Sequence, residues 1–157
     1  VVLGLAALCA QAQEIRIGFI NTDRIFKEAN TAKQAQAKLE QEFSKREKEL
    51  NDAGNALKTS VEKFEREAPT LSESQRASRQ KQLGEQDRDF QRKRREFQEE
   101  LNARKNEEFQ QVLERANRVI KQVAEAEKFD LVLQEAVYIN PKHDITDKVL
   151  KVINAGK

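Results

Sequence analysis

The stretch FQRKRREFQEEL, Phe90 to Leu101, sets Arg92, Lys93, Arg94 and Arg95 between the aromatic residues Phe90 and Phe97. Cations interleaved with aromatics are the chemistry of single-stranded nucleic acid binding, in which rings stack on bases while cations meet phosphate. That chemistry needs both residue types on one accessible surface. On a helix, Lys81, Arg88, Arg92 and Arg95 share a stripe, whereas Leu83, Phe90 and Phe97 lie about 200° around from it. The cations and the rings therefore face nearly opposite ways, and the phenylalanines read as helix-packing residues.

Catalytic chemistry finds little to work with. His143 is the single histidine and stands in a loop beside Pro141. One histidine is far from a metal site. No glycine-rich phosphate loop is present, and the carboxylates are spread through helices in charge pairs instead of converging on one point. The sequence points to a non-enzyme without catalytic residues, metal or cofactor.

The chain has 157 residues, of which 38% are apolar and 36% charged. An ordinary globular domain has roughly 45–50% and about 25%, so a large compact core is not expected. Lys and Arg number 29 against 27 acids, a formal +2. Electrostatic function must then rest on local distribution. Residues 76–95 hold eight cations and three acids, a local +5 that leaves the rest of the chain at −3. The plain reading of that stripe is a solvated helix face with pairs such as Lys81 with Glu85.

The opening VVLGLAALCAQAQE differs from the rest. Val1 to Ala10 is apolar yet shorter than the roughly 20 residues that span a bilayer. Ala10 and Ala12 form an A-x-A arrangement with cleavage expected before Gln13, so residues 1–12 read as a signal peptide entered part-way. Lipid attachment through Cys9 fits less well, because bulky Leu8 precedes it, and a buried N-terminal helix is the plain alternative. Export would leave a mature chain, 13–157, without cysteine.

IRIGFI alternates Ile15, Ile17 and Phe19 with Arg16 and Gly18, the period of a half-buried strand. Asn21 and Thr22 can cap a helix that meets no stop signal before Pro69. Ala29, Gln36, Phe43, Leu50, Leu57 and Phe64 recur at seven, with Ile25, Ala32, Leu39, Arg46, Ala53 and Ser60 as the companion row. One long helix is expected. After Pro69, either Thr70 with Glu73 or Ser72 with Gln75 offers a capping box. In the second helix Leu83, Phe90 and Phe97 continue at seven. Phe90, Leu101, Val112 and Val123 recur at eleven, with Phe109, Ala116, Val119 and Ile120 on the same side.

Helices of about 70 and 80 Å cannot be packed inside a domain whose radius of gyration would be about 15 Å. They are expected to form a protruding antiparallel hairpin arm, residues 22–127, on a base of residues 15–21 and 128–157. Out-and-back helices return FDLVL (Phe129 to Leu133) and VYI (Val137 to Ile139) to the first strand. A three-stranded sheet follows, covered by a last helix that Asp144 or Thr146 caps and that carries Val149, Val152 and Ile153 on one side. The fold class is α+β, mostly α. Such a sheet has unpaired edges and little burial, so self-association through Ile15, Ile17, Phe19, Leu131, Leu133, Val137 and Ile139 is expected. Gly54 and Gly84 sit inside helices and come level to within about 3 Å if the chain turns near Thr70. They are candidate arm hinges, with close helix packing as the alternative.

RIGFINTDRIFKEA, the hairpin turn LSESQRASRQKQL and, above all, FDLVLQEAVYINPKHDITDKVLKVI are similar to the Skp/OmpH family of periplasmic chaperones for outer-membrane proteins. The likeness runs in order through essentially the whole mature chain, and its ending is the most specific part. It implies a homotrimer with a β-barrel body and three helical tentacles, enclosing unfolded outer-membrane β-barrel proteins without ATP. The link QEA, Gln134 to Ala136, departs in lacking the Gly or Asn often seen there. The stripe of Lys81, Arg88, Arg92 and Arg95, repeated on three arms, would attract acidic unfolded chains and anionic lipid headgroups. Lipopolysaccharide or an anionic membrane surface is a compatible partner. Nucleic acid is not, given export, and a plain coiled-coil spacer would not need strands returning to a base.

Overall fold

Asn21 opens the helical part of the chain: its side chain accepts from the Arg24 N–H at 3.0 Å, as an N-cap does. The computed structural model describes residues 14–156, so the expected signal peptide, its cleavage before Gln13 and Cys9 lie outside the described residues. Helix α1, Thr22–Glu28, is followed by α2, Asn30–Glu67, and α3, Glu73–Ala126. The expected single first helix is thus two. Ala29 takes an extended conformation (φ −65°, ψ 133°), and the Asn30 N–H that this frees donates to the Asn154 side chain at 2.7 Å. Adjacent Asn30 and Thr31, both cap-forming types, were the local signal.

Pro69 acts as expected, in a 3-10 turn over Ala68–Thr70. Of the two capping boxes the chain uses Ser72 with Gln75, whose side chains exchange bonds of 3.1 and 3.3 Å with each other's N–H groups. At its far end α3 stops without a glycine. Lys128 enters the left-handed region (φ 57°), and the Phe129 N–H donates back to the Ala124 carbonyl at 2.9 Å, a Schellman closure.

The chain divides into two compact units, residues 14–30 with 114–156, and residues 31–113. In the first, strand β1, Ile17–Phe19, pairs in parallel with β2, Leu131–Leu133, matching Ile17 to Leu131 and Phe19 to Leu133. A single bridge, Phe19 to Asp144, extends this pairing. The expected third strand does not form: Val137 and Tyr138 are exposed and lie outside the sheet. Without a Gly or Asn, Gln134 to Ala136 lack the turn residues that a tight hairpin needs. The buried side of β1 is also the reverse of that expected. Gly18 and Ile20 are buried, Ile17 and Phe19 are half-buried, and Ile15 is 69% exposed. Gly18 packs tightly there: a Cβ would stand 3.0 Å from Ile145 Cδ1, so a larger residue would have to push that side chain aside.

Helix α4, Thr146–Asn154, buries Val149, Leu150 and Ile153. Of the two expected caps Asp144 serves, since its carboxylate accepts from the Thr146 N–H at 2.8 Å; Thr146 is the first residue of the helix, and its buried hydroxyl instead accepts from the Asn21 N–H at 2.9 Å, tying α4 to the start of α1. Ile20, Ile25, Ala29, Ala116, Val119, Val123 and Ile145 complete this unit's core. Each large aliphatic buried there contributes on the order of 1.5–3 kcal/mol.

The second unit is a two-helix antiparallel hairpin. Its packing residues are those of the heptad rows: Phe43 is buried, and Leu50, Leu57, Phe64, Leu83, Phe90 and Phe97 are half-buried. Phe109, expected on the same side, is instead 48% exposed. The described helices include none long and apolar enough to cross a membrane.

Candidate functional site

The aromatic and basic residues of α3 separate as their helical spacing requires. Phe97 meets Phe43 edge-on, with centroids 5.7 Å apart and planes at 78°, while Phe90 lies against Gly54. Lys81, Arg88, Arg92 and Arg95 are all exposed. On this stretch of α3 the rings and the cations therefore do not share one accessible surface, the arrangement that base stacking with phosphate contact needs.

The stripe is partly compensated within the helix. Asp89 binds Lys93 at 2.9 Å and also pairs with Arg92. Hydrogen bonds from Lys93, then Arg92, hold the Asp89 carboxyl below the usual carboxylate range. Among the described residues no ion pair joins Lys81, Arg88 or Arg95 to a carboxylate, and the expected Lys81–Glu85 pair is not made. These three cations carry the uncompensated charge of the stripe.

A second group of charges holds the hairpin together. Lys38 binds Glu108 at 2.5 Å, Arg104 binds Glu42 at 3.1 Å and Glu108 at 2.8 Å and also pairs with Glu107, and Arg46 binds Glu100 at 2.6 Å. Arg46 stands over both Phe43 and Phe97, 5.7 and 5.8 Å from the centroids. The Glu108 carboxylate is buried. The hydrogen bond from Lys38, the largest effect, holds its pKa below the usual range against the opposing effect of burial, with Arg104 adding to the lowering. Sequence reasoning missed this network, although a cation at a packing position, Arg46, was its visible sign. Beside it Leu50, Ala53 and Phe97, with Arg46 and Lys93, line a cleft of about 220 Å³.

The glycines are not equivalent. A Cβ at Gly54 would sit 3.1 Å from Phe90 Cζ, whereas at Gly84 the nearest atom is Arg88 Nη1 at 3.6 Å. Gly54 faces a residue six positions beyond Gly84, about 9 Å of helix rise, so the two are not level as expected. Restarting α3 at Glu73 shifts the register from that of a turn at Thr70.

In the other unit, the sheet brings Ile17, Phe19, Leu131 and Leu133 together, and the residues expected to mediate self-association remain partly uncovered. Ile15, Leu131 and Val137 are exposed, and Ile17, Phe19, Leu133 and Ile139 are half-buried. His143 is structural: its Nδ1 lies 3.1 Å from the Ile17 carbonyl and ties the 3-10 turn Pro141–His143 to β1. The described residues hold no cluster of potential metal ligands.

The family model described as outer membrane protein (OmpH-like) matches residues 16–153. Chaperone protein Skp of Yersinia enterocolitica is 31% identical over 154 residues, covering 96% of this chain and 94% of its own length. Skp of Pectobacterium atrosepticum is 29% identical over 153 residues, covering 96% and 93%. A solved OmpH-like structure from Caulobacter crescentus CB15 has a TM-score of 0.77 at 22% identity, over 92% of this chain and 87% of that one, a likeness of fold. The match from the first strand through α4, together with the helical hairpin and the small parallel sheet, establishes that the chain belongs to the OmpH-like family.

Proposed function

We propose that this protein is a periplasmic holdase that binds unfolded outer-membrane β-barrel proteins and keeps them from aggregating, without ATP. The alignment of curated Skp chaperones along nearly all of both chains supports this reading most. A homotrimer is the assembly that goes with it. Exposed Ile15, Leu131, Val137 and Tyr138 support self-association, because one copy leaves these apolar side chains in water. Clients enter a space between helical arms, where Lys81, Arg88, Arg92 and Arg95 attract acidic segments without reading sequence. The same stripe makes lipopolysaccharide or an anionic membrane surface a second class of partner. The direct test dilutes a urea-unfolded outer-membrane barrel into buffer with or without the protein and follows light scattering in the absence of nucleotide. Suppression at stoichiometric protein is expected; aggregation unaffected by the protein overturns the proposal.

A further inference from the structure

Arg24, Arg46, Arg92 and Arg104 are each closed on carboxylates of this chain. Arg115 and Arg118, like Arg88 and Arg95, form no ion pair among the described residues; what sets Arg115 apart is its Nε, which is out of contact with solvent without a hydrogen-bond partner. A buried guanidinium donor left unmatched retains its full desolvation penalty, which an acceptor would remove.

The two arginines stand one turn apart on α3 and, with Val119 and Gln122 of the same face, line a cavity of about 280 Å³ to which Gly156 contributes from beyond α4. Gly156 has φ +73°, and no atom lies within 4 Å of where its Cβ would be, which leaves space beside it. No described residue of the lining is a carboxylate. Two guanidinium groups and an amide offer only donors and one carbonyl, an arrangement matched to a compact anion with several acceptor oxygens.

We propose that Arg115, Arg118 and Gln122 form a binding site for a phosphate-type oxyanion, supplied either free or as the phosphate of a lipid headgroup. This site belongs to the unit of residues 14–30 and 114–156 and is separate from the basic stripe at residues 81–95. Its oxygens take the guanidinium donors that face the cavity, and Arg115 Nε, closed to solvent in the unliganded protein, joins them when that side chain shifts.

Nuclear magnetic resonance of the arginine Nε–H groups in the intact protein tests this. Inorganic phosphate should move the Arg115 signal, while chloride at matched ionic strength should not. Arg115→Gln and Arg118→Gln should each weaken phosphate binding by about tenfold, or roughly 1.4 kcal/mol, whereas exposed Arg79→Gln should leave it unchanged. If Arg115→Gln fails to fold by circular dichroism, Arg118→Gln and the wild-type titration decide. Movement with inorganic phosphate assigns the site to the free anion. Movement only with phosphatidylglycerol vesicles assigns it to a headgroup. An Arg115 signal unmoved by either, or unchanged affinity in Arg118→Gln, overturns the proposal.

Discussion

Gly54 gives the Phe90 ring its place in the helical hairpin: the ring's Cζ comes within 3.1 Å of where a Cβ would stand. That contact is closer than ordinary packing tolerates, so a methyl group there would have to displace the ring. Gly84 has no such constraint. Gly84→Ala is expected to stabilise the protein by about 1 kcal/mol through helix propensity, while Gly54→Ala should gain less or be destabilising. Urea denaturation of both variants measures this, and equal gains would show that Phe90 yields freely. The proposed arm hinge then rests on Gly84, whose replacement should narrow the distance spread between spin labels near Thr70.

Glu108 ties stability to acid. Its pKa is lowered by Lys38 and then Arg104, so its contribution is present above the ordinary value of 4.5 and is lost as pH falls through the lower folded-state value. Glu108→Gln should lower the thermal midpoint at neutral pH and flatten the loss of stability below about pH 4.5. Asp89, lowered by Lys93 and Arg92, leaves a residual acid dependence in the variant. Parallel wild-type and variant curves would remove Glu108 from the account.

Reversing Arg88 and Arg95 to Glu should slow capture of acidic unfolded clients while leaving helicity intact. Adding Arg92→Glu should contribute less per residue, because Asp89 already compensates Arg92. Capture should also slow with salt, since exposed charges are screened beyond about 8 Å at physiological ionic strength. Stopped-flow rates unchanged by the double reversal would return the stripe to a solvated helix face.

Leu131→Asp places a charge on a sheet residue that is 48% exposed in one copy. It should abolish the proposed trimer, as read by light scattering, with most helical signal retained. A wild type that is a folded monomer would sink the assembly proposal.

Lys128→Gly should stabilise the end of α3, because a left-handed non-glycine residue costs roughly 1–2 kcal/mol and glycine's greater unfolded-state entropy offsets only part of that. Thermal melts that show no gain would mean that the Lys128 side chain contributes contacts of its own.

The sequence by itself determined the features that depend on nearest neighbours. The Asn21 cap, the interruption at Pro69 and a capping box just after it, for which Ser72–Gln75 is one of two candidates, each close within three or four residues, and the heptad rows name Phe43, Phe90 and Phe97 because helical periodicity is local. Tertiary structure decided what depends on distant partners. The break at Ala29 leaves an N–H that Asn154 receives from across the chain, and Gly18 turns inward because Ile145 lies against it. Val137 to Ile139 have strand-like composition but remain outside the sheet, since β1 pairs with β2 and Asp144 instead. The clasp at Glu108 joins Lys38 across 70 residues, and a shift of a few residues at the turn would have given each charge another partner. Such pairings depend on register, which is set only when both helices pack.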